Sequence, residues 1–256
     1  MTPLPQQNFE ERIKGYTNGL HPVVPLDPGD VLLPMDFTAA NKELTDELLQ
    51  NTDAFAHYVT EKLRTAGARY GIGGYNEDRV IYRRSGLFGP RCPHPGLPQR
   101  GKAGMGAARS IHLGLDIWGP ADTPVFAPLA GTVHSFAFND AFGDYGATLI
   151  LKHQLDDLVF HTLYGHLSLA SIQNKKEGQV IVGGETIAWF GAPEENGHWP
   201  PHLHFQVIQN MQGNSGDYPG VCSYEDQSGY LENCPNPALL FPAAVIQGIT
   251  KKRWGR

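Results

Sequence analysis

The 256 residues include 26 acidic and 20 basic side chains, a formal net charge of -6, with 41% hydrophobic and 18% charged residues. This balance describes a folded globular chain of one or two domains and excludes a disordered one of low hydrophobicity. It also argues against a nucleic-acid-binding surface, which needs a basic face; the one basic cluster, Lys251, Lys252, Arg253 and Arg256, reads as a solvated chain end.

Met1 to Arg12 is polar and has neither an apolar core nor a small-residue cleavage site, so it does not read as a signal peptide. No apolar run approaches the roughly 20 residues that span a bilayer. The expectation is a cytoplasmic protein without a membrane span, or a periplasmic or extracellular one if a leader has been removed. Residues 1–37 carry Pro22, Pro25, Pro28 and Pro34 and read as an extended arm. Residues 38–66 are helical in pattern, with Leu44, Leu48 and Leu49 on one face and Phe55, Val59 and Leu63 on another. Asn51 or Thr52 is placed to cap the second helix and Gly67 to end it. Gly71-Ile72-Gly73-Gly74-Tyr75 reads as flexible, Val80-Ile81-Tyr82 as a short strand, and 89–106 as a long Gly/Pro-rich loop. Residues 1–106 are thus expected to form a partly helical extension packed on or over the next domain.

From Ile111 the pattern changes to short strands at 111–117, 124–127, 131–138, 147–153, 157–164, 186–191 and 203–209, separated by turns such as Gly119-Pro120 and Asn196-Gly197. Residues 107–210 are therefore expected to form an antiparallel, mainly β domain, making the whole chain α+β. Residues 211–256 read as a loop-rich C-terminal extension, and the stretch 210–242 is expected to serve as a lid or a partner surface. Three cysteines are too few for a disulfide framework: Cys222 and Cys234 could pair and leave Cys92 free, but unpaired thiols suit a reducing compartment better.

Among 11 histidines, several stand at spacings that suit metal chemistry. His202-Leu203-His204 opens an apolar strand, and residues two apart on a strand share a face, so two imidazoles project side by side. In His112-Leu113-Gly114-Leu115-Asp116, read as a strand, His112, Gly114 and Asp116 share the polar face, with Gly114 leaving room for an ion or a substrate backbone. An isolated pair of surface histidines, or a buried His–Asp hydrogen bond, would account for either motif alone. His166, in Tyr164-Gly165-His166-Leu167, closes a third apolar strand. His134, His153 and His161 read as hydrogen-bonded structural histidines, and His198 as a solvated loop residue.

Taken together, His112-x-Gly114-x-Asp116, Tyr164-x-His166-Leu167 and Pro201-His202-Leu203-His204-Phe205 resemble the ordered motifs of the lysostaphin-type, or LytM-like, zinc metallopeptidases, the peptidoglycan endopeptidases. Connecting segments agree over about 111–209, among them Thr123 to Pro128 with Gly131-Thr132-Val133, and Gly183 to Ala188. The resemblance implies that His112, Asp116 and His204 hold Zn2+, that His166 and His202 are the catalytic histidines, and that a zinc-activated water hydrolyses peptide bonds in peptidoglycan-type or other small-residue peptides. It further suggests Asn76, in the polar stretch 73–79, as an upstream ligand of a latent form. The sequence departs from the family in the long, acidic and aromatic approach Gly191 to Pro201 and in lacking a signal peptide. Two other readings share these motifs: a cytosolic zinc metallohydrolase with a small amide substrate, and a non-catalytic regulator that keeps the fold.

Overall fold

The computed structural model describes residues 9–16, 19–27, 29–89 and 107–241. Its N-terminal part runs through helix α1 (Phe9–Lys14), strand β1 (Leu32–Met35), helices α2 (Asp46–Gln50) and α3 (Thr52–Ala66) and strand β2 (Tyr70–Gly73), then 3₁₀ turns at Ile81–Arg84 and Gly86–Phe88. The expected caps are present: the Asn51 side chain accepts from the Ala54 N–H, and Gly67 ends α3 in the left-handed conformation that lacks a steric penalty only for glycine. The apolar spacing of α3 buries Phe55, Val59 and Leu63.

Two local expectations are corrected. Val80-Ile81-Tyr82 leads into a 3₁₀ turn instead of forming a strand. The stretch at 71–75 is not flexible: its first three residues belong to β2, which pairs parallel with β1 and antiparallel with the strand that carries Asp116. Its glycines serve close packing, because a Cβ on Gly71 would lie 2.7 Å from Met35 Cγ and one on Gly73 would lie 2.5 Å from an Arg79 nitrogen. Most of the loop expected at 89–106, along with Cys92 and the basic tail, lies outside the described residues.

The rest of the chain supplies β3 (Arg109–His112), β4 (Leu115–Trp118), β5 (Pro124–Phe126), β6 (Gly131–Asn139), β7 (Gly146–Leu155), β8 (Leu158–Leu167), α4 (Ala170–Gln173), β9 (Val180–Ile181), β10 (Thr186–Trp189), β11 (His202–Ile208), β12 (Val221–Ser223) and α5 (Gln227–Asn233). Among the described residues the main sheet has eight strands in the order β1-β2-β4-β11-β8-β7-β6-β9. Only the β1–β2 pairing is parallel, so the strand-rich α+β architecture holds, with a mixed sheet whose long run is antiparallel. Strands β1 and β2 come from the N-terminal region and extend the sheet beyond β4. Pro34 sits in the edge strand β1, where a missing N–H is tolerated.

The two-residue period of β4 and β11 divides the molecule into faces. Leu115, Ile117, Leu203, Phe205 and Val207 enter the largest core cluster with Leu149, Leu151 and Tyr164. Asp116, Trp118, His202, His204 and Gln206 alternate with them and point to the opposite face. There Trp118 packs against Phe37 and Phe55 under the N-terminal helices.

Candidate metal centre and catalytic cleft

Register across the sheet brings the polar side chains together. His204 lies opposite Asp116 on one side and Gly165 on the other. The His112 to Asp116 segment is not one continuous strand: it breaks at Leu113 and Gly114, so that His112 ends β3, paired with Val221, while Asp116 lies in β4. Gly114 does make room, but for the His204 ring, whose Cε1 and Nε2 would lie 2.5 and 2.6 Å from an added Cβ.

The resulting cluster is buried, with His112 at 0% exposure, Asp116 at 2% and His204 at 3%. His112 Nε2 lies 2.9 Å from His204 Nδ1. Asp116 Oδ1 lies 3.2 Å from the former and 3.1 Å from the latter. These edges are close to the ligand–ligand separation of about 3.3 Å that tetrahedral zinc requires with bonds of about 2.0–2.1 Å.

Hydrogen bonds on the far side of each ring fix which nitrogen faces inward. His112 Nδ1–H donates to the Gly74 carbonyl at 2.9 Å, leaving Nε2 as an acceptor. The Gln206 amide nitrogen donates to Pro219 O at 3.1 Å and Cys234 Sγ at 3.3 Å, so its oxygen faces His204 Nε2 at 3.0 Å and takes that proton. With its Nε2–H given to Gln206, His204 turns Nδ1 toward His112 and Asp116. Three acceptors, two imine nitrogens and a carboxylate oxygen, thus converge with no hydrogen among them. That arrangement is repulsive by itself and suits a borderline-soft cation.

Electrostatics agree with this donor set. Burial, with the nearby Arg79 charge, pushes the His112 pKa down to about 3, so the ring is neutral. Burial acts to raise the pKa of Asp116, but the carboxyl lies well below its usual range, as an anion, with the paired Arg79 guanidinium as the cation that opposes burial. Arg79 is fully buried; it donates from Nη1 to Asp116 Oδ2 at 2.5 Å and from Nε to Glu77 at 2.9 Å.

His166 and His202 flank the cluster, with ring centroids 4.1 Å apart. The His202 ring stacks on Trp118 at 3.8 Å and donates from Nδ1 to Pro200 O at 2.7 Å. His166 donates from Nδ1 to Asn196 O at 2.8 Å and is held at φ 61°, a left-handed conformation that is uncommon for a residue with a side chain. Burial pushes the His202 pKa down to about 4 and holds His166 well below its ordinary value, with His202 and His204 adding to the effect. Both rings are therefore neutral at pH 7 and carry their basic nitrogen at Nε2.

Asp116, His166, His202 and His204 line a cavity of about 210 Å³, walled by Tyr82, Tyr145, Trp199 and residues 217–221. Five sequence-predicted site residues thus meet at one place, and Asn76 does not join them. Its backbone N–H donates to the His112 carbonyl, but its exposed side chain turns outward to Gln227. His198 is exposed and stacks on Phe142. Sequence reasoning missed Arg79 and Gln206, and gave the C-terminal wall only as a lid or partner surface without naming its residues. Gln206 could have been found from its parity with His204 in the alternating strand; Arg79 and the wall depend on tertiary contacts.

Residues 110–215 match the model of peptidase family M23. An uncharacterized metalloprotease of Haemophilus influenzae is 34% identical over 120 residues, which are 47% of this chain and 23% of that protein. A zinc-containing peptidase from Vibrio cholerae is 30% identical over 43% of this chain and 31% of its own, with a TM-score of 0.31. The catalytic domain of the antimicrobial peptidase lysostaphin from Staphylococcus simulans is 25% identical over 47% of this chain and 80% of its own, with a TM-score of 0.33. Residues 110–215 of the chain are thus similar to peptidase family M23. The chain spans about a quarter of the length of the Haemophilus protein and a third of that of the Vibrio one.

Proposed function

We propose that the protein is a zinc metalloendopeptidase acting on peptidoglycan-type or other small-residue peptides. The observation that carries this reading is the triangle of His112 Nε2, Asp116 Oδ1 and His204 Nδ1 beside two neutral histidines in one cavity. Three protein ligands leave one coordination position for the reaction, and zinc there supplies Lewis acidity that polarises a peptide carbonyl and acidifies water. His202 and His166 present Nε2 acceptors, so either takes the proton of the attacking water and passes it to the leaving amine. In the tautomers set by Pro200 O and Asn196 O, neither ring can donate into the cavity before it has gained a proton, so the base role comes first.

The test is mass spectrometry of muropeptides and glycine-rich peptides incubated with the zinc-loaded protein, with and without a chelator. Chelator-sensitive fragments whose masses sum to the parent plus one water are expected, and they identify the bond. A zinc-loaded sample that leaves every peptide intact overturns the reading.

A further inference from the structure

The buried Arg79 is not among the three metal-facing residues, yet it is built into the centre with unusual completeness. Its Nη1 meets Asp116 Oδ2, its Nε meets Glu77, and Nη2 lies 3.3 Å from the Gly74 carbonyl. The guanidinium lies over the face of Phe37 at 5.5 Å. The space it fills exists because residue 73 is glycine. Its own N–H is tied to Ser110 O, so the backbone that carries it is held against β3. A fully buried charge costs stability unless it is paired and bonded, and here every direction of the fork is used.

This arrangement divides the two oxygens of Asp116 between two tasks. Oδ2 belongs to Arg79, and Oδ1 alone faces the histidine nitrogens. We infer that Arg79 is a positioning residue: by engaging Oδ2 it makes Asp116 a one-oxygen ligand and keeps the fourth coordination position open. A carboxylate without this partner is free to turn both oxygens toward the cation, which fills the position that a catalytic site keeps for water or substrate. The guanidinium fork suits the task because it holds Asp116 and Glu77 together at fixed angles, whereas a lysine ammonium is a point charge on a flexible stem. The same loop supplies the Gly74 carbonyl that sets the His112 tautomer, so residues 73–79 orient two of the three ligands.

The inference rests on the zinc-peptidase reading, and its test separates the two. The full chain, as wild type, Arg79→Met and Arg79→Lys, is loaded with Co2+ in place of zinc, and the visible absorption is recorded. Four-coordinate Co2+ absorbs strongly, and intensity falls when a fifth donor atom binds. An intense band is expected in the wild type, a clear loss in Arg79→Met, and an intermediate value in Arg79→Lys. Turnover of Arg79→Met is expected to fall by about 10- to 100-fold, the range typical of residues that orient a metal ligand. Arg79→Lys, which keeps a buried cation beside Asp116, covers the case in which Arg79→Met does not fold; an unchanged band in folded Arg79→Lys then overturns the positioning role by itself. A wild-type band that survives unchanged in folded Arg79→Met and in Arg79→Lys overturns the positioning role alone. A wild type that takes up no Co2+ overturns the metallopeptidase reading and this inference with it.

Discussion

At the scale of single residues, the proposed function separates holding a metal from moving a proton. His112→Ala removes one corner of the acceptor triangle and is expected to abolish stoichiometric zinc binding, read by metal analysis after dialysis. His202→Ala leaves that triangle intact; zinc content is expected to stay at one per chain while peptide hydrolysis falls by about 10²- to 10⁴-fold, the range for loss of a general base. Loss of zinc from His202→Ala would instead place His202 among the ligands. The grouping of these residues was legible in sequence because strand periodicity made His202 and His204 neighbours on one face and because three spaced motifs occurred in order. Arg79 was not legible: a lone arginine in a polar stretch gives no sign that it will be buried, and its partner Asp116 is 37 positions away. Gly114 shows the opposite limit, since its small size was evident but the occupant of the freed space, the His204 ring, was not.

At the scale of elements, the N-terminal segment is part of the machinery. Strand β2 covers the outer side of β4, and loop 73–79 supplies the Gly74 carbonyl to His112 and the Arg79 contact to Asp116. Removing residues 1–79 is therefore expected to expose β4 as an unpaired edge, lower solubility and eliminate zinc binding, measured by size exclusion and metal content. A truncated chain that stays monomeric with full zinc and higher activity would show that the segment acts as an inhibitory cover. The helices of this region were readable from apolar spacing and caps. Strand β2 was not, because glycine suggests freedom in a sequence, whereas Gly71 and Gly73 here permit tight approach of Met35 and Arg79.

At the scale of the whole molecule, buried neutral histidines couple the fold to acidity. His153, away from the metal centre, bonds to Ala130 O through Nδ1 and to the Thr162 hydroxyl through Nε2. Burial pushes its pKa down to about 4, against the opposing influence of the Ala130 carbonyl. The unfolded chain, with a histidine pKa near 6.5, binds the proton first on acidification. Its contribution to stability is thus complete above about pH 6.5, declines as pH falls to about 4, and then levels off, a change on the order of 3 kcal/mol. Denaturant midpoints measured across this window are expected to depend less steeply on pH in His153→Gln than in the wild type; equal slopes would remove His153 from the acid response. The mainly β plan was legible from turn spacing, but joining of the N-terminal strands to the sheet was not, since it is decided by edge pairing between distant segments.

The metal centre also has a history within each round of synthesis. Its parts come from residues 74–79, 112–116 and 202–206, and the Gln206 amide that orients His204 is itself held by Pro219 and Cys234. At about 5–20 residues per second, translation leaves the early histidine waiting for its partners for several seconds or more. Until the segments that carry Pro219 and Cys234 have left the ribosome the candidate ligand set is not complete, so a growing chain is expected to bind metal only after they have followed.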